Sequence, residues 1–205
     1  MALSTQFDPL FRRYGGSIPV AYLRALAQRE SGMNPRSNAG KAAAQGLLQI
    51  VTVVRDSYNQ RHGTSYTRDD TLNPDLNVKM AVELLQRIIA GYAKHPSPNL
   101  RADWANPAFV QLLTAGWNAG YSEGGGVGKV ASYLEQRGIP VAPTSIYGYA
   151  RDAGAVAYLS DAARAKWHKS VVDLYFAQPD RAIGHPIAGF ALAGLVAWGI
   201  YRYLM

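Results

Sequence analysis

The chain has 205 residues, of which 48% are apolar and 17% are charged, and this balance excludes an intrinsically disordered protein. It contains no cysteine, which excludes a disulfide scaffold, a zinc ribbon and a cysteine nucleophile. The net charge of +7 is compatible with nucleic acid, an anionic membrane or an acidic polymer as partner. Basic residues are not clustered among aromatic ones, so we expect no nucleic-acid partner.

The first element in chain order is a helix predicted from about Ser17 to Gly32. Its apolar positions recur at helical spacing: Val20, Leu23, Leu26 and Ala27. Gly32 is a typical residue for the left-handed position after a helix, and Pro35 prevents continuation. Glu30 therefore lies at the end of the helix, where the helix dipole disfavours a carboxylate and favours a raised pKa.

The remaining elements are also predicted to be helices, separated by loops rich in proline, glycine and polar residues. Their expected ranges are 50–58, 75–92, 107–118, 129–137, 147–159 and 160–177. Alternating apolar and polar residues, the pattern of strands, are scarce. We therefore predict a mainly α fold for residues 1–178, followed by a linker at 179–186 and a separate segment at 187–205.

Four short motifs follow one another along this helical pattern. They are Glu30-Ser31-Gly32-Met33-Asn34-Pro35, Gly46-Leu47-Leu48-Gln49, Asn73-Pro74 with Asn77, and Trp117-Asn118-Ala119-Gly120. In this order they resemble the soluble-type lytic transglycosylase family, which is related to goose-type lysozyme. The resemblance extends from about Phe11 to Leu159 and implies a lysozyme-like helical domain that acts on peptidoglycan.

The resemblance assigns roles to the residues that match the family motifs. Glu30 matches the catalytic acid/base, and Ser31 matches the serine beside the substrate. Gln49 and Asn118 match polar residues that line the sugar groove. Trp117 stands where the family has tyrosine, which retains a flat aromatic ring but displaces its polar group.

Two further features of the site are expected from aromatic residues. Trp117 and Tyr121 could stack on sugar faces. The family also has a late tyrosine near the catalytic acid, for which Tyr149 is the first choice and Tyr147 the alternative.

The motifs contain one firm carboxylate, whereas most glycosidases use two. The resemblance implies a lytic reaction at the β-1,4 bond between N-acetylmuramic acid and N-acetylglucosamine. In that reaction the muramoyl 6-hydroxyl replaces water and forms a 1,6-anhydro product. The alternatives are a hydrolytic muramidase on the same fold and a non-catalytic, glycan-binding virion membrane protein.

No cofactor or metal is expected. The glycine-rich run from Gly124 to Lys129 lacks the leading glycine and the trailing Ser or Thr of a phosphate-binding loop. The four histidines, His62, His95, His168 and His185, do not have the spacing of metal ligands.

The segment from Ile187 to Tyr201 carries no charged residue and is shorter than the roughly 20 residues of a full membrane span. We expect residues 187–205 to form a membrane anchor, with Trp198 and Tyr203 at the interface. Its small residues at four-residue spacing would allow self-association. The alternative is a buried or oligomer-forming terminal helix.

Positive charges precede this segment more often than they follow it, which favours a cytoplasmic location for the domain. Peptidoglycan lies on the opposite side of the membrane, and the N-terminal residues do not resemble a secretory signal peptide. We therefore hypothesise a bacteriophage enzyme that is carried in the virion and opens the wall in the host periplasm as the genome enters.

Overall fold

A computed structural model describes residues 3–38 and 44–182. Within these residues the chain forms eight α-helices joined by loops and short 3-10 turns. The helices are α1 (Asp8–Gly15), α2 (Val20–Ser31), α3 (Thr52–His62), α4 (Pro74–Tyr92), α5 (Pro107–Ala119), α6 (Val127–Glu135), α7 (Pro143–Gly148) and α8 (Ala162–Phe176). The predicted mainly α fold is confirmed.

Helix α2 lies at the centre of the fold and packs against α1 and α8. Every residue from Ala21 to Ala27 is buried. The helix ends at Gly32, which adopts the left-handed conformation with φ 63° and donates its N–H to the carbonyl of Gln28. This conformation favours glycine, so the predicted end of the helix is confirmed and Glu30 lies in its last turn.

Helices α4 and α5 begin in the same way. Asn73 and Asn106 each accept a hydrogen bond from the backbone N–H two residues later, and a proline occupies the first helical position after each. Each Asn side chain satisfies one free N–H group of the first turn. The proline that follows has no N–H to satisfy, and its ring fixes its φ near the helical value. Along α4 the apolar residues Leu76, Met80, Leu84 and Ile88 recur at helical spacing; Leu84 is partly buried and the other three are buried.

Two parts of the helical prediction are wrong. Helix α1 was not predicted, because the only fully buried apolar side chain within it is Phe11 and the pattern is too sparse to recognise. The single helix predicted over 147–159 is instead the short α7, an irregular segment and a 3-10 turn at Ala157–Ser160. Gly148 and Gly154 interrupt the helical path, and Gly154 has φ 63°.

A buried ion cluster joins both ends of the described chain to α2. The Arg24 guanidinium donates to Asp8 at 2.7 and 3.0 Å, to Asp180 at 2.9 and 3.1 Å, and to Gln178 at 2.6 Å. Gln178 in turn donates to the carbonyl of Ala21 at 2.8 Å. The folded part of the chain therefore extends through the 3-10 turn at Pro179–Ala182, inside the segment predicted as a linker.

Across residues 3–38 and 44–182, no helix has the length and hydropathy required to cross a membrane. The anchor predicted at 187–205 lies outside the described residues.

We predict that Arg24→Met lowers the free energy of unfolding by about 3–5 kcal/mol, because it leaves the buried Asp8 carboxylate without its main partner. Urea denaturation measures this change. Lys169→Met is the matched control, since the exposed pair between Lys169 and Asp173 is worth at most about 0.5 kcal/mol. Equal losses in the two variants would contradict the structural role of the cluster.

Candidate active site

The site is built where the last turn of α2 meets the last turn of α5. Trp117 Nε1 donates a hydrogen bond of 2.7 Å to Glu30 Oε1. The Asn118 side chain lies close enough to Glu30 for its amide to favour the charged form of the carboxyl group. Three residues that the motifs nominate as site residues are thus brought together. Although Trp117 stands where the family has tyrosine, its indole N–H still provides a polar contact to Glu30.

Glu30 is half-buried, and its electrostatic environment combines opposing effects. Burial raises the pKa of Glu30 to about 7, although hydrogen bonds from Trp117 and Asn118 and the charges of Arg164 and Arg29 lower it. The loss of solvation therefore raises the pKa of Glu30 by more than the two side-chain donors and the two positive charges together lower it. Near neutral pH this carboxyl group can both donate and accept a proton, as a general acid/base must.

The Gly46–Gln49 turn is held in place by Asn77, which is fully buried on α4. Asn77 accepts the Leu48 N–H at 2.8 Å and donates to the carbonyls of Gln45 and Thr71 at 2.9 and 2.8 Å. Gly46 has φ 78°, and a Cβ there would collide with Asn77. Asn77 thus has a structural role, which explains its place among the motifs.

Gln49 lies in this turn with φ 46° and is partly exposed. Its Nε2 donates to the carbonyl of Gly46 at 2.8 Å and faces the carbonyl of Ser37 at 3.3 Å. Because its amide nitrogen is engaged by the backbone, the carbonyl oxygen of Gln49 is the group suited to receive a hydrogen bond from a ligand.

Ser31 connects the end of α2 to the same turn. Its hydroxyl donates to the carbonyl of Leu47 at 2.7 Å, with the carbonyl of Ala27 at 3.2 Å, and accepts the Asn34 N–H at 3.1 Å. The structure therefore gives Ser31 a positioning role between Glu30 and the Gly46–Gln49 turn.

Asn118 leads to a residue that the sequence did not nominate. His168 on α8 is fully buried, and its Nε2 lies 3.0 Å from Asn118 Oδ1. Its Nδ1 lies 3.0 Å from the Tyr147 hydroxyl, to which Gln111 Nε2 donates at 3.4 Å. No motif could identify His168, because it lies 50 residues beyond Asn118 and meets it only through the packing of α5 against α8.

The two candidate late tyrosines lie in different environments. Tyr147 is part of the hydrogen-bonded group around Asn118. Tyr149 is 36% exposed and packs at 6.2 Å from the ring of Tyr133. The structure thus brings the alternative choice, Tyr147, to the site and leaves the first choice, Tyr149, on the surface.

A groove of about 260 Å³ is lined in part by Trp117, whose indole N–H bonds Glu30. Its walls include three of the predicted site residues, Trp117, Asn118 and Tyr121, together with apolar residues of α3 and α4. The Tyr121 ring packs on Gly91, where a Cβ would collide with it. This packing fixes one face of Tyr121, while the ring still contributes to the groove wall.

Six acids are candidates for a second carboxylate, and three of them are engaged elsewhere: the six are Asp56, Asp69, Asp70, Asp75, Asp103 and Glu123. Asp56 pairs with Arg55 at 2.7 Å, and Asp70 accepts hydrogen bonds from Thr67. Asp75 accepts the Tyr14 hydroxyl at 2.7 Å. These contacts account for three of the candidates without involving Glu30.

Comparison with protein families identifies the family of this chain. A family model described as "Transglycosylase SLT domain" matches residues 12–132, which is more than half of the chain. The chain therefore belongs to the transglycosylase SLT family, and the family predicted from the four motifs is confirmed.

The fold is also similar to a solved structure, the 70 kDa soluble lytic transglycosylase from Escherichia coli. The TM-score is 0.58 at 18% sequence identity, with 84% of this chain and 24% of that chain covered. The chain thus corresponds to about a quarter of that protein, and at this identity the likeness concerns the fold alone. No curated protein matches the chain.

We predict that Trp117→Phe raises the pKa of Glu30 above 7, by about one pH unit, because it removes a donor to the carboxylate. An NMR titration of the Glu30 side-chain carboxyl carbon measures the change. Trp104→Phe is the matched control, since that indole packs against Phe109 and Tyr175. An unchanged or lowered pKa in Trp117→Phe would show that the indole N–H does not stabilise the carboxylate.

Proposed function

We propose that this protein is a peptidoglycan lytic transglycosylase in which Glu30 is the only acid/base. It would cleave the β-1,4 bond between N-acetylmuramic acid and N-acetylglucosamine and leave 1,6-anhydro ends. The observation that carries the proposal is a half-buried Glu30 with a pKa of about 7 that accepts a hydrogen bond from Trp117, a residue of the groove wall.

In the first half of the reaction Glu30 is a general acid. Its carboxyl group donates a proton to the glycosidic oxygen as the bond from that oxygen to the anomeric carbon breaks. Burial supports this role, because it holds a substantial fraction of Glu30 protonated near neutral pH. The Glu30 carboxylate formed in this half is stabilised by the N–H groups of Trp117 and Asn118.

In the second half Glu30 is a general base. The carboxylate takes the proton of the muramoyl 6-hydroxyl as that oxygen bonds to the anomeric carbon of the same ring. One carbon–oxygen bond has broken and one has formed, no water is consumed, and Glu30 is protonated again. This cycle needs one carboxylate, which fits the engagement of Asp56, Asp70 and Asp75 elsewhere.

The groove suits a chain of amide-substituted sugars. The carbonyl oxygen of Gln49 can accept a hydrogen bond from the N–H of an N-acetyl group, since its amide nitrogen is engaged by the backbone. Trp117 and Tyr121 offer aromatic surface for sugar rings in the groove wall. Peptidoglycan strands are therefore the proposed substrate.

We predict that Glu30→Gln lowers the rate of release of soluble fragments from purified peptidoglycan at least about a hundredfold, because the amide cannot transfer the proton. Asp173→Asn, an acid-to-amide change in an exposed pair, is the control and should retain full activity.

Activity of the wild-type protein should fall as the pH rises through about 7, since the free enzyme must carry the Glu30 proton.

Mass spectrometry of the fragments separates the proposed reaction from its rivals. Anhydro-muramic ends support the lytic reaction, and reducing ends would identify a hydrolytic muramidase instead. Glycan binding without any fragment release by the wild-type protein would indicate the non-catalytic alternative.

We also propose a location, supported by the sequence of the tail: a membrane anchor at 187–205 in a bacteriophage particle, with the enzyme acting in the host periplasm as the genome enters. The uncharged run from Ile187 to Tyr201 supports the anchor. The full chain should co-fractionate with the membrane of purified virions, and a variant lacking residues 187–205 should not. Absence from particles, with export by a host system, would refute the proposal.

A further inference from the structure

A single hydrogen-bonded chain connects α7, α8 and α5 to the acid/base. It runs from Gln111 to Tyr147 at 3.4 Å, from Tyr147 to His168 at 3.0 Å, and from His168 to Asn118 at 3.0 Å. Asn118 in turn lies beside Glu30, where its amide favours the charged form of the carboxyl group. The proposed reaction uses only the last link, so the three buried or half-buried groups behind Asn118 require a separate explanation.

His168 lies in a setting that disfavours its charged form. It is fully buried, its ring stacks on that of Tyr147 at a centroid distance of 5.8 Å, and the edge of Trp167 lies at the same distance. The charged group that acts on it is Arg164, also on α8. Burial and the Arg164 charge lower the pKa of His168 to about 4, so the imidazole is neutral near pH 7.

The charged and titratable groups around Glu30 come from three elements. Arg29 lies beside it on α2, Arg164 comes from α8, and both favour the carboxylate. The phenols of Tyr22 and Tyr158 are also close enough for the Glu30 charge to raise their pKa values. None of these groups bonds His168 or Asn118 among the described contacts. Arg164 acts through its charge on both Glu30 and His168.

The chemistry of the side chains fixes the direction of each bond. A carboxylate only accepts, so Asn118 must turn its N–H group to Glu30 and its Oδ1 to His168. A neutral imidazole has one donor and one acceptor, so His168 must carry its proton on Nε2. Its Nδ1 then accepts the Tyr147 O–H, and the Tyr147 oxygen accepts from Gln111. Every donor in the chain points toward Glu30.

We propose that His168, held as the neutral Nε2–H tautomer, is a positioning residue that keeps the N–H group of Asn118 directed at Glu30. The inference rests on the proposed function and deepens it. Without the His168 donor, the Asn118 amide can rotate and present its oxygen to Glu30, which repels the carboxylate. A preorganised donor stabilises the charge that forms on Glu30 during proton transfer without reorientation of the site.

The first experiment compares His168→Phe with His168→Gln, because the Gln amide nitrogen can replace the Nε2–H donor. We expect His168→Phe to lower kcat about tenfold with little change in KM, and His168→Gln to recover to within about threefold of the wild type. The high-pH limb of the activity profile should move to higher pH in His168→Phe, since Glu30 loses a donor to its charged form.

His95→Phe is the matched control, because His95 is also buried but bonds Glu135 away from the site. It should leave the pH profile unchanged, and thermal melting would show whether either phenylalanine variant has lost its fold. Equal kcat values and pH profiles for His168→Phe and His168→Gln would overturn the positioning role.

The second experiment needs neither a variant nor turnover. Nitrogen NMR of the wild-type protein should show the His168 ring as the neutral Nε2–H tautomer from about pH 5 to 8, above its pKa of about 4. An imidazolium at neutral pH, or the Nδ1–H tautomer, would overturn the proposal. Since this spectrum is independent of peptidoglycan cleavage, it distinguishes failure of this inference from failure of the proposed function.

Discussion

The hydrogen bond between the Trp117 indole and the Glu30 carboxylate is the contact on which the site depends. It joins the last turn of α5 to the last turn of α2 at 2.7 Å. Both helices are packed into the core, α2 between α1 and α8 and α5 between α4 and α8. The carboxylate is therefore held by rigid elements, which is a requirement for reproducible proton transfer to a bound substrate.

The same packing creates an energetic balance at Glu30. Burial disfavours its charge, whereas the N–H groups of Trp117 and Asn118 and the positive charges of Arg164 and Arg29 favour it. With burial alone the group would stay protonated and be a poor base, and with the donors alone it would stay ionised and be a poor acid. Burial outweighs the donors and charges, and the resulting pKa of about 7 suits a single group that serves in both halves of a reaction.

Stability and chemistry are separated along α2. Arg24 in its middle binds Asp8 and Asp180 from opposite ends of the described chain, whereas Glu30 at its end faces the groove region. Burying the Arg24 charge is tolerated because its donors are matched by two carboxylates and an amide oxygen. The ion cluster thus anchors the helix that presents the acid/base.

Local sequence determined much of this protein. The end of α2 at Gly32, the capped starts of α4 and α5, the family, and Glu30, Gln49, Trp117 and Asn118 as site candidates all follow from patterns of a few neighbouring residues. Tertiary structure alone decided that burial dominates the pKa of Glu30, that His168 bonds Asn118, and that Tyr147 rather than Tyr149 bonds His168. Propensities, caps and motifs act over a few neighbouring residues and can therefore be recognised in the sequence. Desolvation and the hydrogen bonds between α5 and α8 arise only when distant segments pack together.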